Sequence, residues 1–313
     1  MKALFMYDYG KENFDKIRNL GYEIKVVDEN HFDKESLDYD SDVLCCYNPF
    51  ENLDIEKFTN LKLIQLSSIG FDFVPKEKLI SMNIPLAHNK GGYSIPMGEW
   101  IVLNILQLAK NSRGFIEKQQ EKRWKMDLGI MEITGKNIVF LGTGTIAKEG
   151  AKRLQGFDVN IIGVNTKGRE AEFFHKVYPI EKVEEVIEIA DFLVMVLPST
   201  EKTESFMDEK KFNLMKKEAF FINVSRGKVV DEKALFNALK NQAIKGAALD
   251  VFESEPLSKE NPLWDLKNIY ITPHNSWISQ MKDERRFNLI YENLKRLKEG
   301  KELLNIVDLD RGY

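Results

Sequence analysis

Cysteine is nearly absent: the 313 residues contain two, adjacent at Cys45 and Cys46. Adjacent residues rarely bridge each other, and their apolar neighbours place them in a buried strand rather than in a disulfide framework. Histidine is also scarce, with four in the chain. No His-x-x-x-His, Cys-x-x-Cys or clustered carboxylate spacing occurs, so no metal site is expected. Neither sign of charge is in large excess. The 45 Lys and Arg against 49 Asp and Glu leave −4, which excludes a generally basic nucleic-acid binder and gives no attraction to anionic membranes. Long apolar runs are missing too. The N-terminal stretch Met1 to Asp8 is too short for a signal peptide, and Ile101 to Ala109 is far below a membrane span. A cytoplasmic protein with neither nucleic-acid nor membrane partners is the expectation.

The length, at roughly 150 residues per domain, suggests two domains, each large enough to bury its own core. Short apolar runs alternate with helical patterns along nearly the whole chain, as in βαβ units. A first series of strands is read at Lys2–Tyr7, Ile24–Val27, Val43–Tyr47, Leu61–Ser68 and Ile84–Ala87. A helix follows from near Pro96 to about Lys110, then a charged stretch, Glu117 to Lys125, with no strand signal. The second series is Asn137–Leu141, Val159–Val164, Phe192–Leu197, Ala219–Val224, Lys245–Leu249 and Ile269–Ile271, all read as buried parallel strands. Helices are read at Asp231–Lys240, with Asp231 as N-cap, and at about Met281 to Lys298, with Phe287, Ile290, Tyr291, Leu294 and Leu297 on one face.

Gly142-Thr143-Gly144-Thr145-Ile146-Ala147 follows a strand and opens a helix, the context that a dinucleotide-binding G-x-G-x-x-[GA] requires. Gly142 permits the tight turn, Gly144 lets the backbone approach a pyrophosphate, and Ala147 lets the helix pack closely. The helix start at Thr145 and Ile146 offers unpaired N–H groups to phosphates. About 20 residues on, where an acid would bind an adenosine ribose and repel a 2′-phosphate, stands Asn165-Thr166-Lys167-Gly168-Arg169. Two neutral residues and two cations suit a phosphate, so NADP(H) is the preferred cofactor, with NAD(H) possible.

Three further segments lie past strand ends, where open α/β sheets bind ligands. Asn223 to Asp231 carries Arg226 beside a glycine, and a guanidinium there suits bidentate capture of a carboxylate. Leu249 to Pro256 carries Asp250 and Glu255. Thr272-Pro273-His274 carries an imidazole, the usual group for moving a proton near neutral pH, and a carboxylate such as Glu255 beside it favours the imidazolium. His31, His88 and His175 have no such company and read as surface or loop residues.

Together with Leu197-Pro198, these motifs make the chain resemble the D-isomer-specific 2-hydroxyacid dehydrogenases, a family that includes glyoxylate/hydroxypyruvate reductases. The likeness covers essentially the whole length. It implies an α/β fold of two Rossmann/flavodoxin-like doubly wound parallel-sheet domains with the active site in the cleft between them. It further implies a substrate domain at 1–95, completed by 285–313, and an NAD(P)-binding Rossmann domain at 96–284. Arg226 would bind the substrate carboxylate and polarise the C2 oxygen. His274 would be general acid in reduction, with Glu255 orienting it. Ile69 and Gly70 would offer backbone N–H groups to the substrate carboxylate. Asp250 would contact the nicotinamide carboxamide, and Pro198, Thr203, Val224 and Ser225 would line the cofactor. A homodimer through the nucleotide domain is implied as well, with Arg123-Trp124 in a subunit interface.

The activity expected is hydride transfer from NADPH to a small 2-oxo acid, giving a D-2-hydroxy acid. Departures from the family pattern are Ser225 in place of the usual Ala and Asn275-Ser276-Trp277 after the histidine, where Trp277 would narrow or cover the pocket. One alternative is an NAD(P)-sensing regulatory protein on the same fold, disfavoured because no disordered tail or added docking segment is visible. Another is an NAD-dependent phosphoglycerate-type dehydrogenase. It needs a cationic phosphate pocket, and around Cys45–Phe50 and Leu66–Ile69 there is no Arg or Lys, Lys62 being the nearest.

Overall fold

The computed structural model describes residues 1–309. The last four residues of the 285–313 segment therefore lie outside the described residues. In chain order the elements are β1 (Lys2–Phe5), α1 (Lys11–Asn19), β2 (Glu23–Val26), β3 (Val43–Cys46), β4 (Leu63–Leu66), α2 (Lys76–Met82) and β5 (Leu86–Ala87). Then come α3 (Ser94–Lys110), α4 (Ser112–Gln120), β6 (Asn137–Leu141), α5 (Thr145–Leu154), β7 (Asn160–Asn165), β8 (Lys176–Pro179) and α6 (Val183–Ile189). The remainder are β9 (Phe192–Met195), α7 (Glu209–Leu214), β10 (Phe220–Asn223), α8 (Glu232–Lys240), β11 (Gly246–Leu249), β12 (Ile269–Ile271) and α9 (Lys282–Glu299). The chain divides into two compact units, Met1–Tyr93 with the chain from Ser279 onward, and Ser94–Ile278.

The first unit holds a five-stranded parallel sheet in the order β2-β1-β3-β4-β5, the flavodoxin-like arrangement. Its inner strands β3 and β4 are buried on both faces, which is why their sequences run apolar without alternation. Successive side chains point to opposite faces, so Cys45 packs in the cluster with Phe287 and Ile290 while Cys46 packs with Leu44 and Leu66. Helix α9 buries Phe287, Ile290 and Leu294. Between them Asn293 donates to Gln65 Oε1 at 2.7 Å and to the Leu304 carbonyl at 3.0 Å, and accepts from Leu304 N–H at 2.7 Å. The Gln65 side chain in the middle of the sheet is thereby paired, avoiding the ~1–3 kcal/mol cost of an orphaned buried amide.

The second unit is a seven-stranded parallel sheet ordered β12-β11-β10-β9-β6-β7-β8. The strand order reverses between β6 and β9, the position where doubly wound sheets open a ligand crevice at their carboxyl ends. Strand β8 adds to the six expected. It is an edge strand, mostly half-exposed and ending in Pro179, so it carries neither a buried run nor a clean alternation. Helix α4 likewise emerges from a segment with no buried residue. Helix α3 begins two residues before Pro96, whose place in the first turn removes no needed donor. Helices α3 and α5 approach so closely that a Cβ on Gly98 would lie 2.8 Å from Glu149 backbone carbon.

Candidate active site

At the carboxyl end of β6, Gly142 adopts φ +108°, and a Cβ there would lie 2.9 Å from the Val196 carbonyl oxygen beyond β9. The turn therefore requires glycine on two counts. Gly144 differs. Its φ of −73° suits any residue, and nothing lies within 4 Å of where its Cβ would be. Packing does not demand a glycine here, so the bare backbone leaves room at the start of α5 for a group that must approach closely. No side chain caps α5 at Gly144, so its first-turn N–H groups, at Thr145 and Ile146, and its positive dipole end stay available. Ser94 on α3 donates to Thr145 Oγ1 at 2.9 Å, and Ala147 is fully buried against the sheet. This loop fits a pyrophosphate.

Asn165, at the end of β7, is committed to its own loop. Its Nδ2 donates to Thr143 Oγ1 at 3.0 Å and to the Arg169 carbonyl at 2.8 Å. Its Oδ1 accepts from the N–H groups of Lys167 and Arg169 at 3.2 and 3.1 Å. The amide thus shapes a turn that presents the exposed Thr166, Lys167 and Arg169. Neither cation pairs with a carboxylate among the described residues. Beyond β9, Thr203 closes a loop by donating to the Pro198 carbonyl at 2.6 Å.

Past β10, buried Asn223 accepts from the Ser225 N–H at 3.0 Å and hydroxyl at 2.8 Å, and donates to the Arg226 carbonyl at 3.0 Å. Val224 is buried beside it, and Arg226 Nη1 bonds to the Ser225 carbonyl at 2.8 Å. At Gly227 a Cβ would sit 1.8 Å from the Phe252 carbonyl carbon, so glycine lets the Arg226 turn lie directly on the 250–255 segment. There Glu255 accepts the Phe252 N–H at 2.9 Å through Oε1 and meets His274 Nδ1 at 2.7 Å through Oε2. Burial pushes the Glu255 carboxyl up, but the bonds from His274 and the Phe252 N–H, with the His274 and Arg226 charges, hold it below the usual glutamate range.

His274 itself is half-exposed and has φ +51°, a left-handed backbone rare for a residue with a side chain. Its N–H donates to the Asp250 carbonyl at 2.8 Å, and its own carbonyl accepts the Trp277 indole N–H at 2.9 Å. Trp277 is thus tied to the backbone of the histidine. The buried Asp250 carboxylate accepts from the Thr272 hydroxyl at 2.6 Å and from the N–H groups of Asn275 and Ser276 at 2.8 and 2.9 Å. It therefore holds the turn that carries His274, and a carboxylate with about four acceptor positions keeps one more.

In the first unit, the loop after β4 has its carbonyls tied down. Ser68 O accepts the Asn89 N–H, Ile69 O accepts from His88 Nδ1, and Gly70 O accepts the Ser68 hydroxyl, each at 2.8 Å. The N–H groups of Ile69 and Gly70 have no partner among the described residues. His88, read from sequence as a surface or loop residue, is half-buried here, and only its tertiary surroundings give it a task. The cation missing from the local sequence arrives from α9. Arg286 pairs with Asp283 and lies over the rings of Tyr7 and Tyr9, 4.8 and 5.6 Å from their centroids. Tyr9 in turn hydrogen-bonds Ser67 at 2.9 Å. Lys62 is paired with Asp42 at 2.7 Å.

A family model for the D-isomer specific 2-hydroxyacid dehydrogenase NAD binding domain matches residues 102–276, over half of the chain. The chain belongs to that family. It is therefore an NAD(P)-dependent oxidoreductase of the 2-hydroxyacid dehydrogenase type. It is similar to the glyoxylate reductase of Thermofilum pendens, 32% identical over 87% of this chain and 85% of the relative. It is similar too to the D-3-phosphoglycerate dehydrogenase of Methanocaldococcus jannaschii, 32% identical over 82% of this chain but about half (49%) of that longer protein. Among solved structures, a D-isomer specific 2-hydroxyacid dehydrogenase from Xanthobacter autotrophicus in complex with NADPH and MES superposes with a TM-score of 0.84. It is 25% identical, and the match covers 100% of this chain and 99% of that one. Two parallel sheets of five and seven strands agree with the two-domain fold of the family. Among the described residues, no helix is long and apolar enough to cross a membrane, and no three His, Cys, Asp or Glu side chains are grouped to hold a metal ion.

Proposed function

We propose that the protein reduces a small 2-oxo acid to the D-2-hydroxy acid with NADPH as preferred cofactor. The observation that carries the reading is the Glu255–His274 pair at 2.7 Å, set against Arg226 by the backbone contact at Gly227. A reduced nicotinamide dinucleotide, when bound, supplies the hydride. Gly142, Gly144, Thr145 and Ile146 would hold its pyrophosphate, and Pro198, Thr203, Val224, Ser225 and Asp250 would line its remaining length. Arg226 binds the substrate carboxylate and polarises the C2 oxygen, a task suited to a planar guanidinium. His274 gives its proton to that oxygen, and Glu255 holds the ring by Nδ1 so that Nε2 faces the reacting group. The N–H groups of Ile69 and Gly70, without a partner among the described residues, are the proposed further contacts to the carboxylate.

Preference for NADPH is supported by Lys167 and Arg169 on the loop that Asn165 shapes, without an acid at that strand end. A second reading, a substrate with an additional anionic group, draws on Arg286 near Tyr9 and Ser67. Arg286 is 5% exposed and already paired with Asp283, so its charge is largely spent inside the fold and the first reading is retained. A homodimer is the proposed assembly, supported by an exposed apolar arm with Trp124, Met126 and Leu128. Its test is the sedimentation mass.

The test of function is loss of reduced-nicotinamide absorbance with NADPH or NADH against glyoxylate, hydroxypyruvate, pyruvate and branched 2-oxo acids. The reading expects turnover, faster with NADPH, that Arg226→Ala lowers about 10³-fold. Tight NADPH binding without turnover of any acid would favour the regulatory alternative instead.

A further inference from the structure

We propose that His88 is a positioning residue for the substrate carboxylate, its Nδ1–H holding the Ile69 carbonyl so that the Gly70 N–H is aimed at the anion. The inference rests on the reading in which Ile69 and Gly70 bind that carboxylate. Each peptide here is trans, so the C=O of one residue and the N–H of the next point in opposite directions. Fixing a carbonyl therefore fixes the following N–H. The bond from Asn89 N–H to Ser68 O sets the Ile69 N–H, and the bond from His88 Nδ1 to Ile69 O sets the Gly70 N–H. The Ser68 hydroxyl on Gly70 O closes the loop behind them. A carbonyl only accepts, so Nδ1 carries the proton. Donation to the carbonyl also polarises the peptide and strengthens the N–H on its far side as a donor.

His88 is built to hold this place. It follows β5, its N–H donates to the Asn305 carbonyl at 3.1 Å, and its ring stands edge-on to Phe71 with centroids 5.8 Å apart. Burial lowers its tendency to protonate, leaving a neutral ring that serves as a donor to backbone rather than as an acid or base.

The test compares His88→Asn with His88→Leu in the full chain. The two side chains are nearly equal in size and both lose the ring, but Asn keeps a donor about where Nδ1–H stands. Steady-state kinetics with NADPH and the best 2-oxo acid would be paired with titration by oxamate, an unreactive carboxylate mimic, and with the NADPH Kd. We expect His88→Leu to raise KM and the oxamate Kd by about tenfold or more, the effect of losing one aligned hydrogen bond to a charged group. The expected kcat and NADPH Kd stay within about threefold, and His88→Asn restores most of the carboxylate affinity. Equal KM values for the Asn and Leu variants would overturn the proposal and leave His88 a structural residue. If His88→Leu does not fold, His88→Ala takes its place in the comparison with His88→Asn, with the same rise in KM expected for Ala and equal KM values for the two variants overturning the proposal. Wild type that neither reduces a 2-oxo acid nor binds oxamate would sink the carboxylate reading itself, and this inference with it.

Discussion

Replacing Gly227 by Ala tests how the catalytic constellation is held together. The new Cβ would fall 1.8 Å from the Phe252 carbonyl carbon, 2.0 Å from its oxygen and 2.2 Å from the Glu253 nitrogen. All three atoms are backbone, so no flexible side chain can yield. To regain ordinary contact the 252–253 peptide must retreat by about 1.5–2 Å. Glu255 is anchored to that segment through the Phe252 N–H, and it reaches His274 over 2.7 Å. A shift of that size leaves no hydrogen bond between them. Overpacking of this kind costs roughly 1–3 kcal/mol of stability, and a 1 Å misplacement of catalytic groups costs about 10²-fold in rate. The expected outcome is a lowered Tm with kcat/KM for a 2-oxo acid reduced at least about 10²-fold. Gly156→Ala is the control, since nothing lies within 4 Å of its Cβ, and it should leave both quantities unchanged. A Gly227→Ala protein with wild-type kcat/KM and Tm would refute the argument that this contact sets the distance between Arg226 and the Glu255–His274 pair.

Two further outcomes follow from the charged groups. The Glu255 carboxyl is pushed up by burial but held below its ordinary value by His274, the Phe252 N–H and Arg226. A carboxyl lowered in the folded state stabilises above its unfolded value, about 4.3, and that contribution fades as the pH falls through the folded value. Urea unfolding should therefore show Glu255→Gln less stable than wild type at neutral pH, with the gap closing in acid; a gap that widens in acid contradicts the assignment. Replacing both Lys167 and Arg169 by Gln should raise the NADPH Kd about tenfold or more while moving the NADH Kd less than about threefold. Equal effects on the two cofactors would remove the 2′-phosphate from this loop.

The fold was legible where burial dominates. Strands such as β3, β4, β6 and β10 are sheathed on both faces, so their apolar runs stand out in the chain. Asp231 sits as the cap of α8, accepting the Ala234 N–H at 2.9 Å. Strand β8 and helix α4 leave little signal in the sequence because one lies at a sheet edge and the other buries no residue. Gly142 is readable because backbone geometry dictates the residue type there, with φ +108° and the Val196 carbonyl oxygen 2.9 Å from where a Cβ would lie. Other parts of the candidate site depend on residues far apart in sequence. His88 acquires its task from Ile69, 19 positions away, and nothing in the local sequence reveals that bond. Arg286 comes to Tyr9 from the far end of the chain, so a search for cations near β3 and β4 could not find it. The sequence offers Asn165 as a neutral residue of the cofactor loop, and only the fold shows its amide shaping the turn that presents Lys167 and Arg169.

The most direct test of the account compares wild type with His274→Gln in the reduction of a 2-oxo acid by NADPH, alongside NADPH affinity measured for both. The account predicts a kcat lower by about 10²–10⁴-fold in the variant, the usual contribution of a general acid, with the NADPH Kd unchanged. Turnover by His274→Gln at the wild-type rate would contradict it, because the proton would then reach the C2 oxygen without the imidazole that Glu255 and Asp250 hold in place.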